Sequence, residues 1–475
     1  MSVDSTLITI VFIFLVFYYL YICILAIFVR TLAGASSEDG YKFIFFIPCR
    51  NEEKVIAQTL KKIFEVSYPN VETLVINDGS TDDTERIVRE LEISHDVELI
   101  NTVEPGRGKG EALNFGFRHV IKKLRTQGTS DYEKVIIGIV DADGQVSPNI
   151  CGAVEPYFND PQVGAVQTSV RIANAESNLI AACQDVEFTG FSQSIQRGRD
   201  RLGSVGLGGN GQFVRLSALC SLSLESPWSR SLTEDLDIGL RLIYTGWKVR
   251  FCHSAYVAQQ GVESFRPLII QRVRWMQGHY SCWKYIPKLL ANRNLPLRTR
   301  LDNTAYLVLG VTPFIVFVSI LLSLFSALGV ISVKNTFSEI LLGTSFFLYI
   351  FMFYLLSFVI AIVFVSFYVR YTKSSIWRLI YFYHVFAIYT LMWIPASIGA
   401  LINLIRGETV WVKTGRTAIE EFSEMRRHPR VEFSCPLEVF CGDESIVVTI
   451  KDVACGGVGV LTTKQYFLKF AKKII

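Results

Sequence analysis

Apolar residues fall along this chain in two rhythms. The first is long and unbroken. LITIVFIFLVFYYLYICILAIFV, Leu7–Val29, carries no charged side chain and exceeds the roughly 20 residues that a helix needs to cross a bilayer's hydrocarbon core. Blocks of the same kind return at about 304–333, 340–367 and 376–405. Between them the rhythm shortens. KFIFFIP, VETLVIND, VELINT, KVIIGIVD and VGAVQTSV read as strands. NEEKVIAQTLKKIFEV, TDDTERIVRELE and GKGEALNFGFRHVIKKL lie between the first four, with apolar residues at helical spacing. Near-continuous apolar strands alternating with helices predict a Rossmann-like, mostly parallel sheet buried on both faces. The pattern thus places an α/β domain over 41–262, an N-terminal membrane helix over 5–30, interfacial helices over 263–300 and a membrane region over 304–405.

Charge orients these segments. Arg30 follows the first span and Asp4 is the only charged side chain before it, so the downstream side is cytoplasmic. The basic stretches RNLPLRTR and VRYTKSSIWR want the same side, which sends the next two blocks out and back. The third block either crosses and leaves the C-terminal tail outside, or is broken at Pro395 and keeps it inside. The expected location is the plasma membrane, multi-pass, with the α/β domain in the cytoplasm. Ten cysteines without a CxxC pair and six scattered histidines argue against a disulfide framework or zinc site. A net charge of +4 gives no support for nucleic acid as a partner.

Candidate chemistry collects where such a sheet binds ligands, at the carboxyl ends of its strands: IPCRNEE, INDGSTDD and IVDADG. Asp141 and Asp143, two residues apart at a strand end, project to one face, and Asp78 faces the same cleft. Mg²⁺ or Mn²⁺ is held by one or two such carboxylates plus oxygens of a substrate's phosphates, although DxD alone reads equally as an acidic turn. Thr233-Glu234-Asp235 opens an amphipathic helix, as N-cap and acidic first turn, and a carboxylate there can also face a cleft. GLGGNG, Gly206–Gly211, follows no apolar strand, so it reads as a loop that lets a ligand approach the backbone rather than as a dinucleotide site. No Ser or Thr follows Lys109 in GRGKGE, which excludes a Walker loop and leaves a lysine on the phosphate side of the cleft or in a solvated loop. QRVRW, Gln271–Trp275, is by itself a membrane-surface helix with snorkelling arginines.

Taken in order, Asp78 in NDGS, Asp141–Asp143 in DAD, Thr233–Asp235 in TED and Gln271–Trp275 in QRVRW form a series. That series resembles the membrane-embedded processive family-2 glycosyltransferases, such as cellulose, chitin and hyaluronan synthases, from Lys42 to about Arg416. The resemblance implies a GT-A domain taking a UDP-sugar from the cytoplasm. Asp78 would contact the nucleoside, with Pro48, Arg50 and Glu52 nearby; Asp141 and Asp143 would hold UDP and the Mg²⁺ or Mn²⁺ ion. Lys109, Gln271 and Arg274 would serve the donor's diphosphate, and Asp235, beside Thr233 and Glu234, would be the general base. Gly209 and Asn210 would sit by the acceptor, whose terminal sugar would rest on Trp275. One base and no second nucleophilic carboxylate fit a single in-line displacement with inversion. The first reading is a processive synthase that builds a β-glucan, cellulose or mixed-linkage, from UDP-glucose and passes the growing polysaccharide across the bilayer, with accessory export subunits as partners. The alternatives are a family-2 enzyme that adds few sugars to a lipid or uses UDP-GlcNAc, and a catalytically silent cyclic di-GMP receptor or scaffold.

The tail, 422–475, contains EMRRHPRVEFSCPLEVF and SIVVTIKDVACGGVGVL, which resemble the start of a PilZ domain. Arg426 and Arg430 match its RxxxR motif; Asp452 and Gly457 match the second, with Ala454 where serine stands in the family. The resemblance implies cyclic di-GMP binding by an incomplete β domain, and a cytoplasmic nucleotide favours an inside tail.

Overall fold

The computed structural model describes residues 2–4, 6–29, 40–128, 131–328, 332–334, 346–372, 376–408, 431–441, 444–454 and 457–461. Two units divide the chain, Met1–Phe422 and Ser423–Ile475. In the first unit, β1 (Ser2–Asp4) pairs with β10 (Ser332–Lys334). The strands between them are β2 (Lys42–Cys49), β3 (Val71–Asn77), β4 (Val97–Asn101), β5 (Val135–Ile139), β6 (Gln145–Val146), β7 (Val163–Ile172), β8 (Gln212–Arg215) and β9 (Lys248–Gln259). They form one sheet in the order β4-β3-β2-β5-β8-β7-β9-β6.

Each strand and helix read from the apolar pattern is present. Alternation along β2 explains how the sheet is held: Phe43, Phe45 and Ile47 enter one core, Ile44 and Phe46 the other, and none is more than 3% exposed. The helix Lys109–Thr126 closes the second core through Leu113, Phe117 and Ile121. The helices Ile56–Phe64 and Ile150–Phe158 close the first through Leu60, Val154 and Phe158. Burial of each such side chain contributes about 1.5–3 kcal/mol, and the two-sided burial is what makes these strands read as continuous apolar runs.

The sheet is less uniform than the pattern predicts. β2, β3, β4 and β5 are parallel, and β7 is parallel to β9, but β8 and β6 run antiparallel to their neighbours. β8 and β9 escape an apolar reading because their charges are satisfied inside the fold. Arg215 donates to the carbonyls of Val163 at 3.0 Å and Phe158 at 2.6 Å. Arg250 pairs with Asp200 at 2.8 Å, and the same carboxylate accepts the Phe251 amide.

Apolar helices pack beside this domain. Thr6–Ile27 and Phe346–Thr372 have 22 and 27 residues, about 33 and 40 Å at a rise of 1.5 Å per residue. Ile380–Arg406 is by itself long and apolar enough to cross a membrane. Leu297–Leu309 and Thr312–Leu322 qualify together but are bent by 45°. Ile380–Arg406 is most of the third apolar block. Its irregularity falls at 391–392, between the helices Ile376–Thr390 and Trp393–Arg406. Pro395 therefore lies in a first turn, where its missing N–H leaves no bond unmade. The second unit is an antiparallel sheet of β11 (Val431–Cys441), β12 (Glu444–Ala454) and β13 (Gly457–Leu461). Asp452 is in register with Glu432 and Gly459, and Gly457 with Ala454; Arg426 and Arg430 lie outside the described residues.

The N-terminal helix approaches the domain backbone closely at Gly198, where a Cβ would lie 2.2 Å from the Ile22 carbonyl oxygen. Gly198→Val should therefore destabilise the detergent-solubilised protein by about 1–3 kcal/mol. Gly152→Ala, whose Cβ would meet nothing within 4 Å on an exposed helix position, should gain up to about 1 kcal/mol. Thermal unfolding of both variants checks the contrast.

Candidate active site

The strand ends converge as parallel pairing dictates. Beyond Cys49 come Arg50 and Glu52, beyond Asn77 comes Asp78, and beyond Ile139 comes the Asp141–Asp143 turn. Asp78 is held by Thr102 Oγ1 and the Gly106 amide, each 3.0 Å from Oδ1. Backbone bonds shape the next turn: Gly144 donates to the Asp141 carbonyl at 2.8 Å, and Gln260 N donates to Asp143 Oδ2 at 2.9 Å. The Asp141 amide donates to Asn210 Oδ1 at 3.2 Å.

Asp235 arrives from a different direction, in the first turn of the helix Glu234–Tyr244. Thr233 occupies the N-cap position and Glu234 and Asp235 the acidic first turn, as read from the sequence, and the Thr233 side chain makes no capping bond. The side chain packs against Gly278 instead: a Cβ there would lie 2.4 Å from Thr233 Cγ2 and 2.5 Å from its Oγ1. Asp235 Oδ1 accepts the Leu236 amide at 2.7 Å. The glycine loop meets it on the other side: Gly209 has φ +76°, and a Cβ there would lie 2.8 Å from Asp235 Oδ2. This approach is what the loop's glycine permits.

Lys109 stands among the acids, paired with Asp141, 3.6 Å from Glu234 Oε1 and 3.4 Å from the Gly209 carbonyl. Burial works against its charge, but Asp141, Glu234 and Asp235 outweigh that and raise its pKa. Burial and the Glu234 charge push the Asp235 carboxyl up to about 7, against the opposing pull of Lys109 and the Leu236 amide.

A single cavity of about 1180 Å³ joins these groups. Its wall includes Pro48, Arg50, Glu52, Asp78, Lys109, Asp141, Asp143, Gly209, Thr233, Glu234 and Asp235, with Gln271, Arg274 and Trp275 from the helix Phe265–Ser281. The predicted GT-A site residues thus share one space, with one exception. Asn210 is buried behind the wall, where it supports Asp141 and donates to Gln259 Oε1 at 3.0 Å. Sequence reasoning missed Glu187 and Phe188 and the membrane-region residues Ile360, Phe364, Phe386 and Leu391, which line the same cavity. No local motif marks them; only their place in apolar helices does. Gly278, which seats the QRVRW helix on Thr233, was likewise missed.

Asp141 and Asp143 offer the hard oxygen donors that Mg²⁺ or Mn²⁺ takes. Among the described residues no group of three or more His, Cys, Asp or Glu is placed to hold a metal. The donor set therefore suits a cation whose coordination is completed by a substrate's phosphates.

Residues 41–278 match the model of "Glycosyltransferase like family 2". The chain belongs to this family. The family-2 glycosyltransferase is 36% identical over 254 residues to the beta-monoglucosyldiacylglycerol synthase of Nostoc sp., covering 52% of this chain and 51% of that one. It is 28% identical over 240 residues to the poly-beta-1,6-N-acetyl-D-glucosamine synthase of Staphylococcus epidermidis, covering 50% and 54%. The chain thus spans about half the length of the curated relatives it matches. Among solved structures it is similar to the mannosyltransferase PcManGT of Pyrobaculum calidifontis, in complex with GDP-Man and Mn²⁺, at TM-score 0.57 and 17% identity over 84% of this chain and 98% of that one. That likeness shows a shared fold, the GT-A type with a mostly parallel sheet.

Gly209→Ala should strain the backbone by about 1–2 kcal/mol and push Asp235 aside, lowering the transfer rate by roughly tenfold or more. Gly246→Ala, with φ +100° but open space around its Cβ, shares the strain alone. Melting temperatures falling in both, and rate in the first only, is the expected outcome.

Proposed function

We propose that this family-2 glycosyltransferase is an inverting enzyme that moves a hexose from a UDP-sugar to the hydroxyl of a membrane lipid, with diacylglycerol the leading acceptor, at the cytoplasmic membrane face. One observation carries the reading. The cavity is lined both by polar groups of the catalytic domain and its QRVRW helix, Asp78, Asp141, Asp143, Asp235 and Arg274, and by apolar side chains of the later helices, Val316, Ile360, Phe364, Phe386, Leu391 and Leu404. An amphiphile matches both linings: its hydroxyl lies among the acids and its chains against the apolar wall. A polysaccharide would meet that wall only with the C–H faces of its rings, leaving Val316, Ile360 and Leu404 without an apolar partner. The relatives named as glucosyldiacylglycerol and poly-N-acetylglucosamine synthases also favour the lipid or UDP-GlcNAc alternative over a cellulose-type polymer. Polymerisation with accessory export subunits is the second reading, favoured by the aromatic face of Trp275 on the wall.

In this reading Asp235 accepts the proton of the attacking hydroxyl as its oxygen bonds to the sugar's anomeric carbon. The bond from that carbon to the diphosphate breaks on the opposite face. Arg274 offers a permanently charged, bidentate fork to the leaving diphosphate. A divalent ion held by Asp141 and Asp143 would supply further positive charge there. Asp78, with Pro48, Arg50 and Glu52, holds the nucleoside. A base with a pKa near the working pH combines availability with proton affinity. We further read the C-terminal unit as an incomplete PilZ-like domain binding cyclic di-GMP through Arg426, Arg430, Asp452 and Gly457. Its support is the motif spacing and the antiparallel sheet.

The test is incubation of the full chain, in vesicles containing diacylglycerol, with radiolabelled UDP-glucose or UDP-GlcNAc. Label in organic-soluble glycolipid is expected; label only in insoluble polymer would transfer the case to the second reading. Asp235→Asn should lower transfer by roughly 100-fold or more while UDP binding persists. Because the raised pKa of Asp235 leaves it protonated at low pH, kcat/KM should fall tenfold per unit below about pH 7 and level off above it. A bound cation, by favouring the carboxylate, should move that limb to lower pH.

A further inference from the structure

QRVRW holds two arginines, and the function proposed above uses only Arg274. Arg272 is 1% exposed and stands where the helices Leu179–Phe191, Phe265–Ser281, Ile376–Thr390 and Trp393–Arg406 meet. Its Nη2 lies 2.5 Å from Glu187 Oε2 and 3.4 Å from the Tyr389 hydroxyl. Tyr389 in turn donates to the same Glu187 oxygen at 2.7 Å. The faces of the guanidinium meet aromatic rings: Cζ is 4.1 Å from the Trp275 centroid, 5.1 Å from Trp393 and 5.6 Å from Phe188. Phe188 also meets Trp275 edge-on at 5.9 Å.

A buried ion pair is weak evidence for stability, because desolvation offsets the attraction. Its effect here is geometric. With Nη2 tied to Glu187 and Tyr389 and the rings of Trp275, Trp393 and Phe188 around Cζ, the planar cation has little freedom to turn, and it holds the indole by cation–π attraction. Trp275 lies on the cavity wall, with Glu187 and Trp393 beside it.

We infer that Arg272 is a positioning residue: Glu187 and Tyr389 hold its guanidinium, and the guanidinium holds the Trp275 indole in the plane on which the acceptor rests. The membrane-region helix that carries Tyr389 thereby sets acceptor geometry inside the catalytic cleft. The inference rests on Trp275 being the acceptor's platform.

Three variants of the full chain test it. Arg272→Lys keeps the charge opposite Glu187 but has no plane. The double variant Glu187→Gln, Arg272→Gln removes both charges, so that neither is stranded. Tyr389→Phe removes one hydroxyl only. The first two should raise acceptor KM roughly tenfold, with UDP affinity held within about twofold, and Tyr389→Phe should move acceptor KM the same way by less. A merely structural role would weaken UDP binding and acceptor use together, and that result, or unchanged acceptor KM in Arg272→Lys, overturns the inference. A second readout does not depend on the acceptor. The fluorescence of Trp275, taken as the difference from Trp275→Phe in each background, should become about twice as quenchable by acrylamide once the clamp is lost. Absence of glycolipid from the unaltered protein sinks the lipid reading, while the quenching comparison still decides the role of Arg272; equal quenching in all backgrounds refutes it.

Discussion

Everything at the catalytic end depends on holding like charges together away from water. Asp141 and the neighbouring pair Glu234 and Asp235 come from distant parts of the chain, yet all lie within reach of one ammonium, that of Lys109. Without a cation such a cluster is unfavourable, because buried carboxylates repel and lose their hydration. Lys109 meets that need within the protein, and the raised pKa of Asp235 shows that one lysine does not fully meet it. A pocket in this electrostatic condition attracts further positive charge. In the proposed function that property is used where a metal-bound diphosphate would arrive and a hydroxyl would lose a proton.

The second constraint is continuity. The polar cleft belongs to the sheet and the apolar lining to helices beyond the α/β domain, and one wall runs through both. The QRVRW helix makes the join. It seats on Thr233 through Gly278 on one side, and packs Met276 and Tyr280 against Ala400 on the other. Tyr280 also reaches Ser397 at 2.5 Å. In the proposed function, a catalytic domain docked so closely on apolar helices serves an acceptor that stays in the lipid phase.

Much of this was legible before the fold was seen. The apolar strands and the helices between them follow from periodicity, because burial on both faces leaves an unbroken run of large apolar residues. The acids were legible because loops at strand ends have no packing reason to be so polar. β8 and β9 were not, since Arg215 and Arg250 are satisfied by carbonyls and a carboxylate distant in sequence. Asn210 shows the same limit: its motif placed it by the acceptor, whereas its side chain turns back to hold the Asp141 amide and Gln259.

What the sequence by itself determined is the list of parts and their order: strands, apolar helices, the acids at strand ends and the cationic aromatic helix. These follow from local rules of periodicity and turn chemistry that need no knowledge of partners. Tertiary structure alone decided which parts meet. It brought Lys109 to Asp141, Gly209 to Asp235 and Arg272 to Glu187, and it opened the acid cleft onto apolar helices. Such choices depend on contacts between residues far apart in the chain, whose energies are set by shared burial, and burial exists only once the chain has closed on itself.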